Sequence, residues 1–232
     1  MGNRFGLRVS SAKTEMQQVG RVSQSLNITL GTTTHIQVND FVYLDGTLFR
    51  DATSDKGITR RVGLATDIVR NLGSIWKSPD ISKEAKVKLY QTLVQSNLLY
   101  NAETWTLKED HKLKLQVLEM SVLQRILFVT RRDRRRNIYI KKELGIVIDV
   151  LMALQQRQLT YFGHVVRMGP ERFHNIWSYQ RYPTQRTSQE EMNVREDCES
   201  LVLSLMEADR LTKDRSNWKH VVSRDASARR PF

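Results

Sequence analysis

Gly57-Ile58-Thr59-Arg60-Arg61-Val62-Gly63-Leu64-Ala65-Thr66-Asp67-Ile68-Val69-Arg70-Asn71-Leu72-Gly73-Ser74-Ile75-Trp76 is the stretch on which the fold class turns. Ile58, Val62, Ala65, Val69, Leu72 and Trp76 recur at the helical period and so form one apolar stripe. Pro79 stops it. The same period continues downstream. Ser82 is placed to cap a second helix whose inner face is Val87, Tyr90, Val94 and Leu98. Thr106 followed by Glu109 reads as a capping box opening a third, with Leu113, Val117, Met120, Leu123 and Leu127 on its apolar face. Asn137 is placed to cap a short fourth helix that Gly145 ends. Asp149 is placed to cap a fifth, running through Leu151, Leu154, Leu159 and Phe162.

Upstream the period is that of strands. Leu26-Asn27-Ile28-Thr29-Leu30 and His35-Ile36-Gln37-Val38-Asn39 alternate apolar with polar, and Gly31 with three threonines separates them as a turn. Phe41-Val42-Tyr43-Leu44 is a third run, closed by the turn dipeptide Asp45-Gly46. Residues 179–193 carry almost no large aliphatic side chains and read as a linker. A last amphipathic segment, Leu201 to Met206, precedes a short region around Trp218, and the end, Arg229-Arg230-Pro231-Phe232, is expected to fray. The expected class is mainly α with a small antiparallel β region near the N-terminus. The segments are 1–50, 57–130, a basic stretch 131–178, the linker 179–193, and 194–232.

Charge is the most informative part of the composition. Lys and Arg total 37 against 25 acids, a formal net charge of +12, with a sequence pI near 10.0. Such an excess is the footprint expected of a protein that neutralises phosphates, while the plainer alternative is an intracellular protein that is basic without a polyanionic partner. No apolar window long enough to span a membrane occurs. The first residues lack the apolar stretch of a secretory signal, and Gly6 breaks the myristoylation pattern. Cys198 is the single cysteine, so an internal disulfide and a cysteine-based zinc knuckle are both excluded. An intracellular protein, in nucleus or cytoplasm, is expected.

No strong catalytic signature is present. Glycine-rich phosphate loops, a nucleophile elbow and HExxH are all missing. His164 and His174 stand at a spacing no metal motif uses. Nucleotidyl transfer needs clustered carboxylates holding two metal ions, and the close acidic pairs, Glu109-Asp110, Glu190-Glu191 and Glu196-Asp197, read as helix-dipole complement and solvated surface. The sharpest feature is Arg131-Arg132-Asp133-Arg134-Arg135-Arg136, followed by Lys141 and Lys142. Guanidinium forks match phosphate geometry, and so many together repel one another unless a polyanion answers them. A solvated face or a localisation signal is the plainer alternative. Phe128 and Tyr139, close to this run, could stack on bases, but core packing is the expected task for both. The segments ending at Trp105 and running Tyr161-Phe162-Gly163-His164-Val165-Val166-Arg167-Met168 lie at helix ends, where aromatics close a core.

Taken together, these segments resemble a specific family. Phe41 to Leu44, Arg60-Arg61-Val62-Gly63-Leu64-Ala65, Ile75-Trp76, Ile81-Ser82 with Lys86, Leu99-Tyr100-Asn101-Ala102-Glu103-Thr104-Trp105-Thr106-Leu107, Thr130 to Asn137, Tyr161 to Met168 and Asp214-Arg215-Ser216-Asn217-Trp218 are similar, in colinear order, to the region after the palm in RTE-type non-LTR retrotransposon endonuclease/reverse transcriptases. Each motif alone is weak; the ordered set covers nearly the whole chain and is specific.

The resemblance implies a carboxy-terminal fragment of such a polymerase: end of palm and primer-grip-like hairpin in 1–50, thumb-like helices in 57–130, then the carboxy-terminal extension. Gly6-Leu7-Arg8-Val9 with Lys13-Thr14-Glu15 looks like the fourth palm motif, and Lys13 would assist proton transfer to the leaving pyrophosphate. Phe41 to Gly46 looks like the primer grip, which implies nucleic-acid contact at Tyr43 and Leu44. Three departures matter. The palm segments with the catalytic aspartates, including the Tyr-Ala-Asp-Asp box, are absent. Asp45 stands where the family has glycine. The family's Gly-Arg-Pro-rich segment is missing between Gln180 and Asn193. The full-length family uses Mg; none is expected for this fragment, which should not polymerise alone.

The expected function is therefore residual binding of RNA or an RNA–DNA hybrid through Lys13, Tyr43, Leu44, Arg131, Arg132, Arg134, Arg135, Arg136, Lys141 and Lys142. No metal site and no membrane partner are expected, and a palm region encoded separately or upstream is an implied partner. Two alternatives stay open: a non-functional translated remnant, and a protein-interaction module.

Overall fold

The computed structural model describes residues 54–168, 197–201 and 203–228. In the amino-terminal stretch it describes 10, 14–17, 29–30, 33–34, 37–38, 40–43 and 46–49. Lys13, Leu44, His174 and the predicted linker 179–193 lie outside the described residues. The chain divides into two units, Met1–Gly57 and Ile58–Phe232. It is mainly helical.

The amino-terminal unit holds short ladders. β1 (Met16–Gln17) pairs in parallel with β4 (Gln37–Val38). β2 (Thr29–Leu30) and β3 (Thr33–Thr34) pair antiparallel, Leu30 opposite Thr33. β5 (Asp40–Tyr43) and β6 (Gly46–Phe49) form a hairpin in which Tyr43 faces Gly46. Two expectations change here. Thr33 and Thr34, expected in a turn, supply a strand, as β-branched residues favour the pleat. The run around Val38 pairs in parallel with an earlier segment instead of closing a hairpin with Leu26–Leu30.

In the second unit the opening stripe is realised across a break. α1 (Asp55–Asn71) and α2 (Gly73–Lys77) meet at Leu72. Ile58, Ala65, Val69 and Trp76 are buried, with Val62 and Leu72 packed against them. The Trp76 indole N–H donates to the Val69 carbonyl at 2.9 Å, so its buried polar end is satisfied. Ser82 caps α3 (Lys83–Leu89) by accepting from the Ala85 N–H. A π-helical turn, Tyr90–Gln95, leads into α4 (Ser96–Leu98). Val87, Tyr90, Val94 and Leu98 are all buried, the face expected from the sequence. Beyond a 3-10 turn, Ala102–Thr104, Trp105 closes the core as expected. Its carbonyl accepts from the Gln158 side chain at 2.9 Å.

α5 (Glu109–Ile126) departs from its expected cap and face. Lys108 holds the cap position, and its N–H donates to His111 Nδ1 at 3.3 Å. Glu109 is the first helical residue, so the Thr106–Glu109 box does not open the helix. Leu113 and Val117, expected inside, are 57% and 59% exposed. Leu115, Leu118, Val122 and Ile126 are buried instead, beside Met120 and Leu123. This helix carries apolar side chains around most of its circumference, so several stripes satisfy the period and the neighbouring helices choose among them.

α6 (Asn137–Glu143) begins at Asn137, with Arg136 at the cap position, so Asn137 is not the cap. Gly145 ends it with φ +64°, its N–H donating to Lys142 and that of Ile146 to Lys141. This is a Schellman closure. Asp149 caps α7 (Val150–Arg167), accepting from the Leu151 and Met152 N–H groups at 3.1 and 3.0 Å. α8 (Leu205–Thr212) and α9 (Arg215–Ala228) follow.

Helix α7 serves two cores. Val150 and Leu154 join the large one built from α1 to α6. Leu159 belongs to a small one with Cys198, Ala208, Trp218 and Val222. The Trp218 indole donates to the Leu159 carbonyl at 2.9 Å, and its ring lies 6.2 Å from that of Phe162. Two of the colinear boxes, the one around Gly163 and the one ending at Trp218, thus meet in this small core.

Candidate nucleic-acid interface

The arginine run sits on the connection from α5 to α6. α5 ends in its own Schellman closure: the Phe128 N–H donates to Arg125 and the Val129 N–H to Gln124. The residue in the left-handed position is Phe128, φ +56°, where the equivalent position after α6 carries Gly145. A side chain costs roughly 1–2 kcal/mol in that conformation, whereas glycine meets no such penalty. Arg134 is a second non-glycine residue at positive φ, +49°.

Between them the backbone is held by the acid in the run. Asp133 Oδ2 accepts from the Thr130 N–H at 2.6 Å and from the Thr130 hydroxyl at 2.8 Å. The Asp133 N–H returns a bond to the Thr130 carbonyl, closing the 3-10 turn Arg131–Asp133. Those bonds from Thr130 hold the Asp133 carboxyl below its ordinary pKa. Asp133 is therefore the lock of the turn rather than a stray charge.

The cations divide into two sets. Arg132, Arg134 and Arg136 are exposed and make no ion pair among the described residues. Arg135 donates to Glu143 Oε2 at 2.6 Å, while Lys83 holds the other oxygen at 2.8 Å. Lys83 and Arg135 accordingly lower the Glu143 pKa. Lys142 is exposed on α6. The backbone of Arg131 lies in the turn, and that of Tyr43 in β5.

Lys141 departs from the surface role expected of it. Its ammonium lies 3.0 Å from Glu119 Oε2 and 2.9 Å from Asp149 Oδ2. Glu119 is 0% exposed. Its Oε1 accepts from the Tyr90 hydroxyl at 3.1 Å and the Val150 N–H at 2.9 Å. Burial raises the Glu119 pKa, against the pull of Lys141 and the Val150 N–H. Burial would lower that of Lys141, yet Asp149 and Glu119 keep it above its ordinary value. Burial also raises the Tyr90 hydroxyl, with the Glu119 charge adding to it. This network ties the π-turn, α5, α6 and the start of α7 together. Arg132, Arg134, Arg136 and Lys142 face solvent.

The aromatics near the run also depart from expectation. Phe128 is 60% exposed and Tyr139 56%, so neither is packed in the core. Lys86 Nζ lies 5.1 Å from the Phe128 ring centroid, over its face. The same ammonium donates to the Ser78 carbonyl at 2.7 Å. Sequence reasoning could not have brought Lys86 or Lys83 to this connection, because they arrive from α3. Phe128→Gly should leave thermal stability at least equal to the parent chain, with a gain of up to about 1 kcal/mol, as it removes the left-handed penalty.

Among the described residues no three His, Cys, Asp or Glu side chains lie close enough together to hold a metal ion. The described residues therefore hold no carboxylate cluster that would fit magnesium. No helix of the described residues is long and apolar enough to cross a membrane.

No family model matches the chain, and no solved structure matches it. It is similar to a protein of Caenorhabditis elegans described as transposon-derived, 22% identical over 250 residues that cover 96% of this chain and 85% of that protein. The similarity runs through almost the whole chain and points to a transposon origin.

Proposed function

We propose that the chain is the carboxy-terminal part of a retrotransposon reverse transcriptase whose remaining activity is binding RNA or an RNA–DNA hybrid. In this reading the helices from α1 to α5 are thumb-like, and the connection after α5 meets the phosphate backbone. One observation carries it. Arg132 lies in a turn that the Thr130–Asp133 hydrogen bonds hold in place, and exposed Arg134 and Arg136 follow it, while the two acids of that neighbourhood, Asp133 and Glu143, already have partners. Exposed like charges that repel each other bring folding no benefit, whereas a polyanion answers all of them at once. The formal net charge of +12 acts in the same direction.

The test is a salt series of binding to a fluorescent RNA–DNA hybrid and to the matching single-stranded RNA. The parent chain should show a steep fall of log K with log salt. Arg132→Ala/Arg134→Ala/Arg136→Ala should reduce that slope by about 2 to 3, since each phosphate contact contributes about 0.7–0.9. An unchanged slope and affinity in a variant with an unchanged melting curve would dismiss the interface.

A further inference from the structure

We infer that Phe128 is a stacking platform for one unpaired nucleotide base, presented beside the arginine turn; this rests on the nucleic-acid reading above and names the form of nucleic acid the site takes. Three observations converge. The chain closes α5 and α6 with the same hydrogen-bonded motif, but places glycine in the left-handed position of one and phenylalanine in that of the other. A bulky residue in that conformation is a true outlier, and such outliers gather where a site needs a side chain held in a fixed place. The ring gains little from folding, since it is 60% exposed. Lys86, itself anchored on the Ser78 carbonyl, sits over the ring. A cation there draws on the ring's π density and fixes its plane, leaving its exposed part for an electron-rich base.

A nucleotide matches both halves of this arrangement. Its base offers a flat π surface for Phe128, and its phosphates offer the anionic oxygens that Arg132, Arg134 and Arg136 lack. A base inside a continuous duplex is already stacked on both sides, so the aromatic favours an unpaired one. An acidic peptide would answer the arginines but has no use for the seated ring.

The experiment uses the full chain and measures affinity for single-stranded RNA and for a blunt RNA–DNA hybrid. Phe128→Gly, Phe128→Tyr and the triple arginine variant are run together with melting curves. Phe128→Gly should weaken single-strand binding by about five-fold or more, as expected for loss of one base–aromatic stack. It should leave hybrid affinity, the salt slope and folding intact, and Phe128→Tyr should bind like the parent. Equal single-strand affinity for parent and Phe128→Gly overturns the inference while leaving the arginine interface standing. So does an equal loss on both nucleic acids, or a loss in Phe128→Tyr. If the triple arginine variant binds as the parent does, the nucleic-acid reading itself fails, and this inference with it.

Discussion

Lys141→Met should cost the helical unit roughly 3–5 kcal/mol at neutral pH, because it leaves Glu119 buried without its cation. Lys141 is placed to hold Glu119 and Asp149 together, and Glu119 has no exposure through which water could replace it. Asp149 keeps partial exposure and its cap bonds to α7, so the penalty falls on Glu119. The pH dependence follows from the direction of its shift. Burial already raises the Glu119 carboxyl, with Lys141 pulling the other way; removing Lys141 raises it further. A carboxyl whose folded pKa lies above its unfolded value contributes stability that is fully present below the unfolded value. That contribution is lost as pH rises through the folded one. The variant should therefore be weakest near neutrality and recover part of its loss as pH falls towards the ordinary glutamate value of 4.5.

Urea unfolding of parent and variant at about pH 7.5 and about pH 5 checks this. Comparison at each pH matters, since Glu84, Asp133, Glu143 and Glu207 are all lowered. Their contributions are present above their unfolded values and lost as pH falls through the folded ones. A loss of the same size at both pH values would mean that Glu119 carries no charge in the fold. Glu119→Gln added to Lys141→Met should restore part of the stability, since a neutral amide can still accept from Tyr90 or the Val150 N–H.

Gly163→Ala is the second large effect expected. A Cβ at Gly163 would lie 2.3 Å from Trp218 Nε1 and 2.4 Å from its Cδ1. The indole cannot swing aside cheaply, because it donates to the Leu159 carbonyl and packs against Phe162. Overpacking of this kind costs about 3 kcal/mol, against which the better helix propensity of alanine returns about 1 kcal/mol. The net loss, about 2 kcal/mol, falls on a small core, so α8 and α9 should open well before α1 to α6 do. Hydrogen exchange should show faster amides in residues 205–228, with those of α5 little changed. Trp218→Ala should itself cost about 3–5 kcal/mol, and in that background Gly163→Ala should become neutral or favourable, because the obstructing ring is gone. Additive losses would show that the two residues do not press on each other.

The interface depends on this scaffold. The arginine-bearing connection runs from the end of α5, which holds Glu119, to the start of α6, which holds Lys141. Loosening that pair should let the turn lose its shape even with every arginine present. Lys141 therefore acts on binding as a positioning residue, through the packing of α6. Its replacement should weaken binding in step with the loss of structure and leave the salt slope of the folded fraction unchanged.

Much of the architecture follows from local rules readable along the chain. The stripe from Ile58 to Trp76, the Ser82 and Asp149 caps, and the stop at Gly145 each act within a turn or two of helix. For such features sequence period and side-chain chemistry suffice. The arginine run was legible for the same reason, since its charge density is a property of adjacent residues. Tertiary structure alone decided the rest. α5 carries apolar residues on several faces, so its period could not say that Glu119 faces inward while Leu113 and Val117 face water; the helices packed against it did. Lys141 reads as one more cation beside Lys142 until Glu119 and Asp149 are brought to it. Phe128 looks like core until the end of α5 turns it outward over Lys86. Gly163 looks like an ordinary helix-weakening glycine until Trp218 arrives from α9. Periodicity specifies which surfaces are available, whereas burial, ion pairing and close approach depend on partners distant in sequence, and only the folded chain supplies them.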